Sequence, residues 1–157
     1  MSDQLTEHEE ELIEYARERI EEHAKNRWEN DLYDVIYAFV LSESGEIYEG
    51  KPFESSQPSF NFCAERHAIN QLQYEETEYS KIEAVLVAGP VPDKDHKGTM
   101  PCGACRHAIN EFGDKDTTVL VSNFVRKERG EWNLFPQIQK FQIQELYPEA
   151  YEPVEWD

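Results

Sequence analysis

Three cysteines hold most of the chemistry that spacing alone reveals. Cys102 and Cys105 sit in Pro101-Cys102-Gly103-Ala104-Cys105, and Cys63 opens the segment Cys63-Ala64-Glu65-Arg66. An odd number of cysteines in a chain that reads as intracellular argues against a disulfide framework and for metal binding or catalysis. Each cluster falls where a helix is expected to start, and the unpaired N–H groups there favour thiolate over thiol. Three thiolates suit one Zn²⁺, with Zn–S near ~2.3 Å, and leave a fourth position for water, as in a catalytic site. Glu65 is then free to carry protons beside that position.

Other readings of the same residues remain. A structural zinc site would draw its fourth ligand from His8, His23, His67, His96 or His107, and would leave Glu65 without a role. A redox Cys-x-x-Cys would leave Cys63-Ala64-Glu65 unexplained, and three inert buried cysteines would explain neither segment. Arg66 bears on the choice. Zn²⁺ with three thiolates carries a net negative charge, and a guanidinium one helical turn from Cys63 would offset it and restore acidity to bound water.

The elements that must position these groups follow from periodicity. Leu5, Leu12, Ile13, Ala16, Ile20, Ala24 and Trp28 form a helical stripe over residues 5–29, and Thr6 with Glu9 has capping-box spacing. Residues 35–41 are apolar without a break, as in a strand buried on both faces. A turn at Ser42–Gly45 and a returning strand at Glu46–Tyr48 complete a hairpin. Pro52, Pro58 and three serines make residues 50–62 a loop.

A helix is expected from Cys63 to Gln73, a buried strand from Ile82 to Ala88 ending at Gly89-Pro90, and a polar loop from Val91 to Pro101. A second helix is expected from Cys102 to about Phe112, followed by strands at Thr117–Val121 and Trp132–Phe135 around a charged turn at 126–131. From Pro136 the chain reads as a tail. Strands separated by helices are expected to run parallel in a mixed sheet, with ligands bound where the following helices begin. Arg66-His67-Ala68-Ile69-Asn70 recurs as Arg106-His107-Ala108-Ile109-Asn110, a similarity that suits two helices packed side by side at one site.

The 157 residues suit a single domain spanning 1–157. The composition, 39% hydrophobic with 12% aromatic residues, excludes a disordered chain. Thirty-three acidic against 15 basic residues give a formal charge of −18, which repels a phosphate backbone and disfavours nucleic-acid binding or editing. Met1–Gln4 has no positive, then apolar, leader, so a cytoplasmic protein with no membrane partner is expected.

Cys63-Ala64-Glu65-Arg66 and Pro101-Cys102-Gly103-Ala104-Cys105-Arg106 together have the Cys-x-Glu and Pro-Cys-x-x-Cys pattern of zinc deaminases in a three-cysteine form. At these residues the sequence resembles the cytidine deaminase family, in particular its small homotetrameric three-cysteine branch. A looser similarity takes in the N-terminal helix, the Gly45 hairpin and Glu145-Leu146-Tyr147-Pro148. The resemblance implies an α/β fold, a three-layer α/β/α sandwich with a five-stranded mixed sheet. It implies one Zn²⁺ per chain on Cys63, Cys102 and Cys105, with Glu65 as proton shuttle and Arg66 paired with a thiolate. The implied reaction is hydrolytic deamination of a small aminopyrimidine at C4, in a homo-oligomer, with N–H groups near Ala64 and Cys102 helping to hold the reacting group.

The substrate side departs from the family. Members that bind nucleosides usually carry an Asn-x-Glu pair that holds the ribose; here the positions are Pro52 and Glu54. A tyrosine often supplied by a neighbouring subunit would fall at Pro58, the stacking aromatic aligns with Tyr33, and a late aromatic contributed across subunits aligns with Tyr151. His107 stands where glutamine commonly follows the second motif's arginine. The implied substrate is therefore cytidine, deoxycytidine or a modified analogue. A blasticidin S deaminase-like activity and a zinc-stabilised non-catalytic binding protein are the alternatives.

Overall fold

The computed structural model describes residues 4–76, 80–128, 131–154 and 156. Helix α1 spans Glu7–Glu29, and its start is fixed as the sequence predicts: Thr6 Oγ1 accepts from the Glu9 N–H while Glu9 accepts from the Thr6 N–H. Strands β1 (Tyr37–Ser42) and β2 (Ile47–Gly50) form the hairpin, turned by Gly45 at φ 93°. Then come α2 (Ala64–Glu75), β3 (Ile82–Val91), α3 (Gly103–Phe112), β4 (Thr118–Glu128), β5 (Glu131–Gln142) and the short α4 (Ile143–Leu146).

The five strands form one mixed sheet in the order β2-β1-β3-β4-β5. β1 runs antiparallel to β2 and β3, β3 pairs parallel with β4, and β4 antiparallel with β5. β2 and β3 thus point the same way, as do β3 and β4, in line with the parallel direction expected of helix-linked strands. Alternation along each strand divides the core. Tyr37, Phe39, Leu41, Ala84, Leu86 and Leu120 face Leu12, Ile13, Ala16 and Ile20 of α1. Val40, Val85, Val87, Val119 and Val121 face Ala68, Ile69 and Leu72 of α2 and Ile109 of α3. Helices on both faces of the sheet make the three layers that the family resemblance implies. The repeated Ala-Ile pairs of α2 and α3 pack into this second cluster.

Three expectations are corrected. The strand that starts at Ile82 continues through Gly89-Pro90 to Val91, because Gly89, Pro90 and Val91 stay in register with Asn123, Phe124 and Val125 of β4. β4 likewise runs well past Val121. The chain after Pro136 is not a tail: it forms most of β5, an edge strand, where a missing proline N–H is tolerated. The charged turn expected at 126–131 includes residues 129–130, which lie outside the described residues, as do Met1–Asp3 of the N-terminal reading.

Candidate metal centre

The helix starts carry the thiols into one place. Cys63 is the N-cap of α2 and Cys102 the N-cap of α3, both in extended backbone with no side-chain capping bond. Cys105 follows Cys102 by one turn and is fully buried. The three sulfurs lie within 4.8 Å of one another, and no imidazole or carboxylate oxygen belongs to this group among the described residues. Cys63 and Cys102 are 3.6 Å apart at sulfur, and all three thiols are free.

The donor set fits a zinc ion. Sulfurs on a tetrahedron with arms of ~2.3 Å stand about 3.8 Å apart, close to the observed spacing and far beyond a disulfide of about 2.05 Å. Arg66 Nη2 lies 3.9 Å from Cys63 Sγ, and Arg66 Nε is buried with no hydrogen-bond partner among the described residues. A half-buried guanidinium with no carboxylate ion pair among the described residues suits a cluster of negative sulfurs. Burial opposes ionisation of Cys102, but the N–H groups of Cys105 and Ala104 and the neighbouring thiols bring its thiol below the ordinary value. Burial pushes the Cys105 thiol up, with Glu65 adding to the effect.

Glu65 stands in the first turn of α2 and is only 3% exposed. Burial raises its carboxyl above the ordinary value, against a hydrogen bond with Cys105 and its own N–H. A carboxylate taken out of water beside a polar cluster is poised to hold a proton at a pH where an exposed one would not. Ala64, also buried, presents the first backbone N–H of α2.

The loop that carries Pro52 and Glu54 is tied to α2 by His67, which holds the Lys51 carbonyl. Phe53 and Phe62 form an isolated antiparallel bridge, Phe53 N–H donating to Phe62 O at 3.1 Å, and their rings stack at 5.5 Å. Pro52 and Glu54 flank this single bridge on one side, and Asn61 and Cys63 on the other. Tyr33 stands at the surface after α1. Its ring is 90% exposed, while its carbonyl accepts from Arg27 Nε at 2.7 Å. Tyr151 is exposed too, its ring 6.2 Å from that of His107. Pro58 opens a one-turn 3₁₀ helix.

Sequence patterns pass over several residues that hold this arrangement. Arg106 donates to the Pro101 carbonyl at 2.8 Å and the Leu146 carbonyl at 2.8 Å, tying the residue before Cys102 to α4. Asn123, at the irregular step between β4 and β5, donates to the His96 and Lys97 carbonyls and accepts from Thr99 Oγ1. It thereby pins the loop that delivers Cys102. His67 donates from Nδ1 to the Lys51 carbonyl at 2.9 Å, and His107 meets Tyr147 and Glu111. Neither belongs to the thiol cluster. A cavity of about 260 Å³ lies behind Lys51, lined among others by His23, Tyr37, Phe39 and His67; none of the thiols lines it. The thiol cluster itself opens to the surface at Cys102.

Known proteins agree with this geometry. The sequence pattern of the cytidine and deoxycytidylate deaminase zinc-binding region matches residues 9–121. A cytidine deaminase of Halalkalibacterium halodurans is 30% identical over 116 residues, which cover 74% of this chain and 76% of that protein. One from Sporosarcina psychrophila is 36% identical over 90 residues, 56% of this chain and 60% of the relative's length. The crystal structure of cytidine deaminase from Burkholderia pseudomallei has the same fold, with a TM-score of 0.66 at 22% identity, covering 94% of this chain and all of that one. Two thiol-bearing helix starts, a buried glutamate between them and the extent of these matches lead to one conclusion: the chain belongs to the cytidine and deoxycytidylate deaminase family.

Proposed function

We propose that this chain is a zinc-dependent hydrolase that removes the C4 amino group of a cytosine-type nucleoside, giving the uracil form and ammonia. The observation that carries this reading is the convergence of Cys63, Cys102 and Cys105 beside the buried carboxyl of Glu65. Cys63, Cys102 and Cys105 would hold the metal. When bound, zinc supplies a Lewis acid that makes water acidic near neutral pH.

The chain's own residues supply the rest. Glu65 accepts the proton that water loses and returns it to N3 of the ring; it then takes the remaining proton of the hydroxyl added at C4 and passes it to the amino group, so that ammonia leaves as the C4 carbonyl forms. Burial of Glu65 keeps bulk water from exchanging that proton at random and matches its affinity to the task. The Arg66 guanidinium offsets the charge of the thiolates. The unpaired backbone N–H groups at the starts of α2 and α3, beside Ala64 and Cys102, help to hold the reacting group. Glu54 and the loop around it hold the sugar, and Tyr33 and Tyr151 line the outer approach.

The exposure of Tyr151 and of the Cys102 edge supports completion of the site by another copy, a homotetramer by family likeness. Among the described residues no helix is long and apolar enough to cross a membrane, which suits a cytoplasmic protein acting on a small molecule. Pro52, which has no side-chain donor or acceptor, keeps modified cytosine compounds in view as substrates.

The test is ammonia release from cytidine, deoxycytidine, cytosine and modified cytosine nucleosides, with zinc measured on the same protein. Glu65→Gln should keep about one zinc per chain and lose turnover by at least about 10²-fold. A zinc-loaded wild-type chain inert toward the whole panel would leave only a binding role.

A further inference from the structure

The cavity behind Lys51 lies between α1 and the β1-β2 hairpin, outside the metal centre. Arg19 and His23 of α1, Tyr37 and Phe39 of β1, Glu49 of β2 and Lys51 line its volume of about 260 Å³. No cysteine lines it, and neither does Glu54 or Glu65. Tyr37 and Phe39 are buried, whereas Arg19, Glu49 and Lys51 are partly exposed. The cavity therefore has an aromatic floor and a charged mouth, and it exceeds the ~150 Å³ that accepts a benzene ring.

The charges at the mouth are paired. Arg19 Nη2 donates to Glu49 Oε1 at 2.6 Å and its Nε to Oε2 at 2.9 Å. Lys51 Nζ donates to Glu54 Oε2 at 2.7 Å, and Arg27 donates to both oxygens of the same carboxylate. An ionic ligand would have to compete with these pairs.

The floor, by contrast, keeps hydrogen-bonding capacity. His23 Nδ1 and Tyr37 Oη lie 2.6 Å apart, and their rings meet edge to face at 5.3 Å. Burial pushes the Tyr37 phenol up to about 12. Burial, with the Arg27 and Lys51 charges, holds His23 below its ordinary value, so both groups are neutral near pH 7. Such a pair has two arrangements. If the phenol donates to Nδ1, Nε2 carries a proton to give and the phenol oxygen can accept. If Nδ1 donates, the phenol gives and Nε2 accepts. Either way one donor and one acceptor remain, and neither side chain has another hydrogen bond among the described residues.

We propose that this cavity is a second small-molecule site, which takes a compact, uncharged aromatic ring bearing a hydroxyl, with the ring against Tyr37 and Phe39 and the hydroxyl on the His23–Tyr37 pair. A hydroxyl both gives and accepts a hydrogen bond, as the pair requires in either arrangement. Water against the two aromatic rings lacks such partners, so an apolar ring gains by displacing it. The occupant would rest on Lys51, whose carbonyl is held by His67 of α2, and would back the loop that carries Glu54. The site stands independently of the proposed deamination.

The experiment titrates phenol, toluene and benzylammonium into the zinc-loaded full chain and follows amide chemical shifts. Phenol should saturate with a Kd on the order of 1 mM, as suits so small a ligand, with the largest shifts at His23, Tyr37, Gly50 and Lys51. Toluene should bind about 2- to 12-fold more weakly, as for one missing hydrogen bond, and benzylammonium more weakly still. His23→Trp puts a larger side chain into the cavity and should abolish phenol binding, with zinc content and melting temperature reporting an intact fold. Tyr37→Phe and His23→Leu each remove half of the polar pair, and each should narrow the preference for phenol while toluene still binds. Phenol binding that survives His23→Trp, or a preference unchanged in both smaller variants, would overturn the inference. So would failure of every ring to saturate, which would leave the cavity to solvent.

Discussion

The Arg66 guanidinium stands 3.9 Å from the Cys63 sulfur, one turn along α2 from the N-cap it neutralises. Among the described residues no carboxylate forms an ion pair with it, and its charge lies beside the thiol cluster. Arg66→Gln should therefore weaken zinc binding or activity by about 10- to 100-fold, the usual effect of removing a group that tunes a metal ligand. Zinc competition with a chromophoric chelator and kcat at saturating metal would check this. Wild-type values in both would show that the arginine is a surface charge.

The 3.6 Å separation of Cys63 and Cys102 has a consequence for the metal-free chain. With no ion between them, the two sulfurs are near enough for mild oxidation to join them. Cys105, buried and with its thiol pushed up, is a poor nucleophile and should be spared. Chelator-treated protein exposed to diamide should lose two of its three titratable thiols, and zinc-loaded protein none. Cys102→Ser should keep both remaining thiols under the same treatment; loss of Cys105 in the wild type would contradict the spacing.

Most of what positions the metal centre could be read from residue types. Cys63 and Cys102 fall at helix starts because a polar or proline-containing loop gives way there to Ala-Ile periodicity, and the Thr6–Glu9 box marks α1 for the same local reason. What the sequence hid depends on partners far along the chain. Gly89-Pro90 reads as a stop, yet the register with Asn123 and Phe124 carries β3 past it. Pro136 reads as the end of structure, yet an edge strand accepts it. Arg27 belongs to no motif of the sequence; only the fold brings Glu54, from the loop after β2, within reach of its fork.

Glu54 should also leave a mark on stability. Lys51 and Arg27, by hydrogen bonds and charge, hold its carboxyl below the ordinary value of 4.5. The folded chain therefore binds a proton there less readily than the unfolded chain. The resulting stabilisation is complete above about pH 4.5 and disappears as pH falls through the lower folded value. Because the side chain is half exposed, the effect should be about 1 kcal/mol or less. Melting curves of metal-free wild type and Glu54→Gln should differ near neutral pH and converge in acid. A gap that widened on acidification would mean that the two cations do not act on this carboxyl.

Gly50, at the end of β2, tests how tightly the sheet sets the first turn of α2. A Cβ at this position would lie 2.5 Å from the Ala64 carbonyl oxygen and 2.7 Å from the Ala68 nitrogen. Both are backbone atoms of the helix that carries Cys63 as its N-cap and Glu65 in its first turn, so no side chain can rotate away to make room. Gly50→Ala should force β2 and α2 apart and cost about 1–3 kcal/mol, as overpacking does. The displacement would fall between Cys63 and the two thiols of α3. Zinc affinity should drop together with melting temperature, and excess zinc should recover part of the stability by mass action. Gly45→Ala is a control for strain without crowding, since its Cβ would meet nothing within 4 Å although φ is 93°. It should lower the melting temperature and leave zinc affinity of the folded protein unchanged. Equal zinc affinity in the Gly50 variant and the wild type would show that the thiol geometry is set within α2 and α3 without help from the sheet edge.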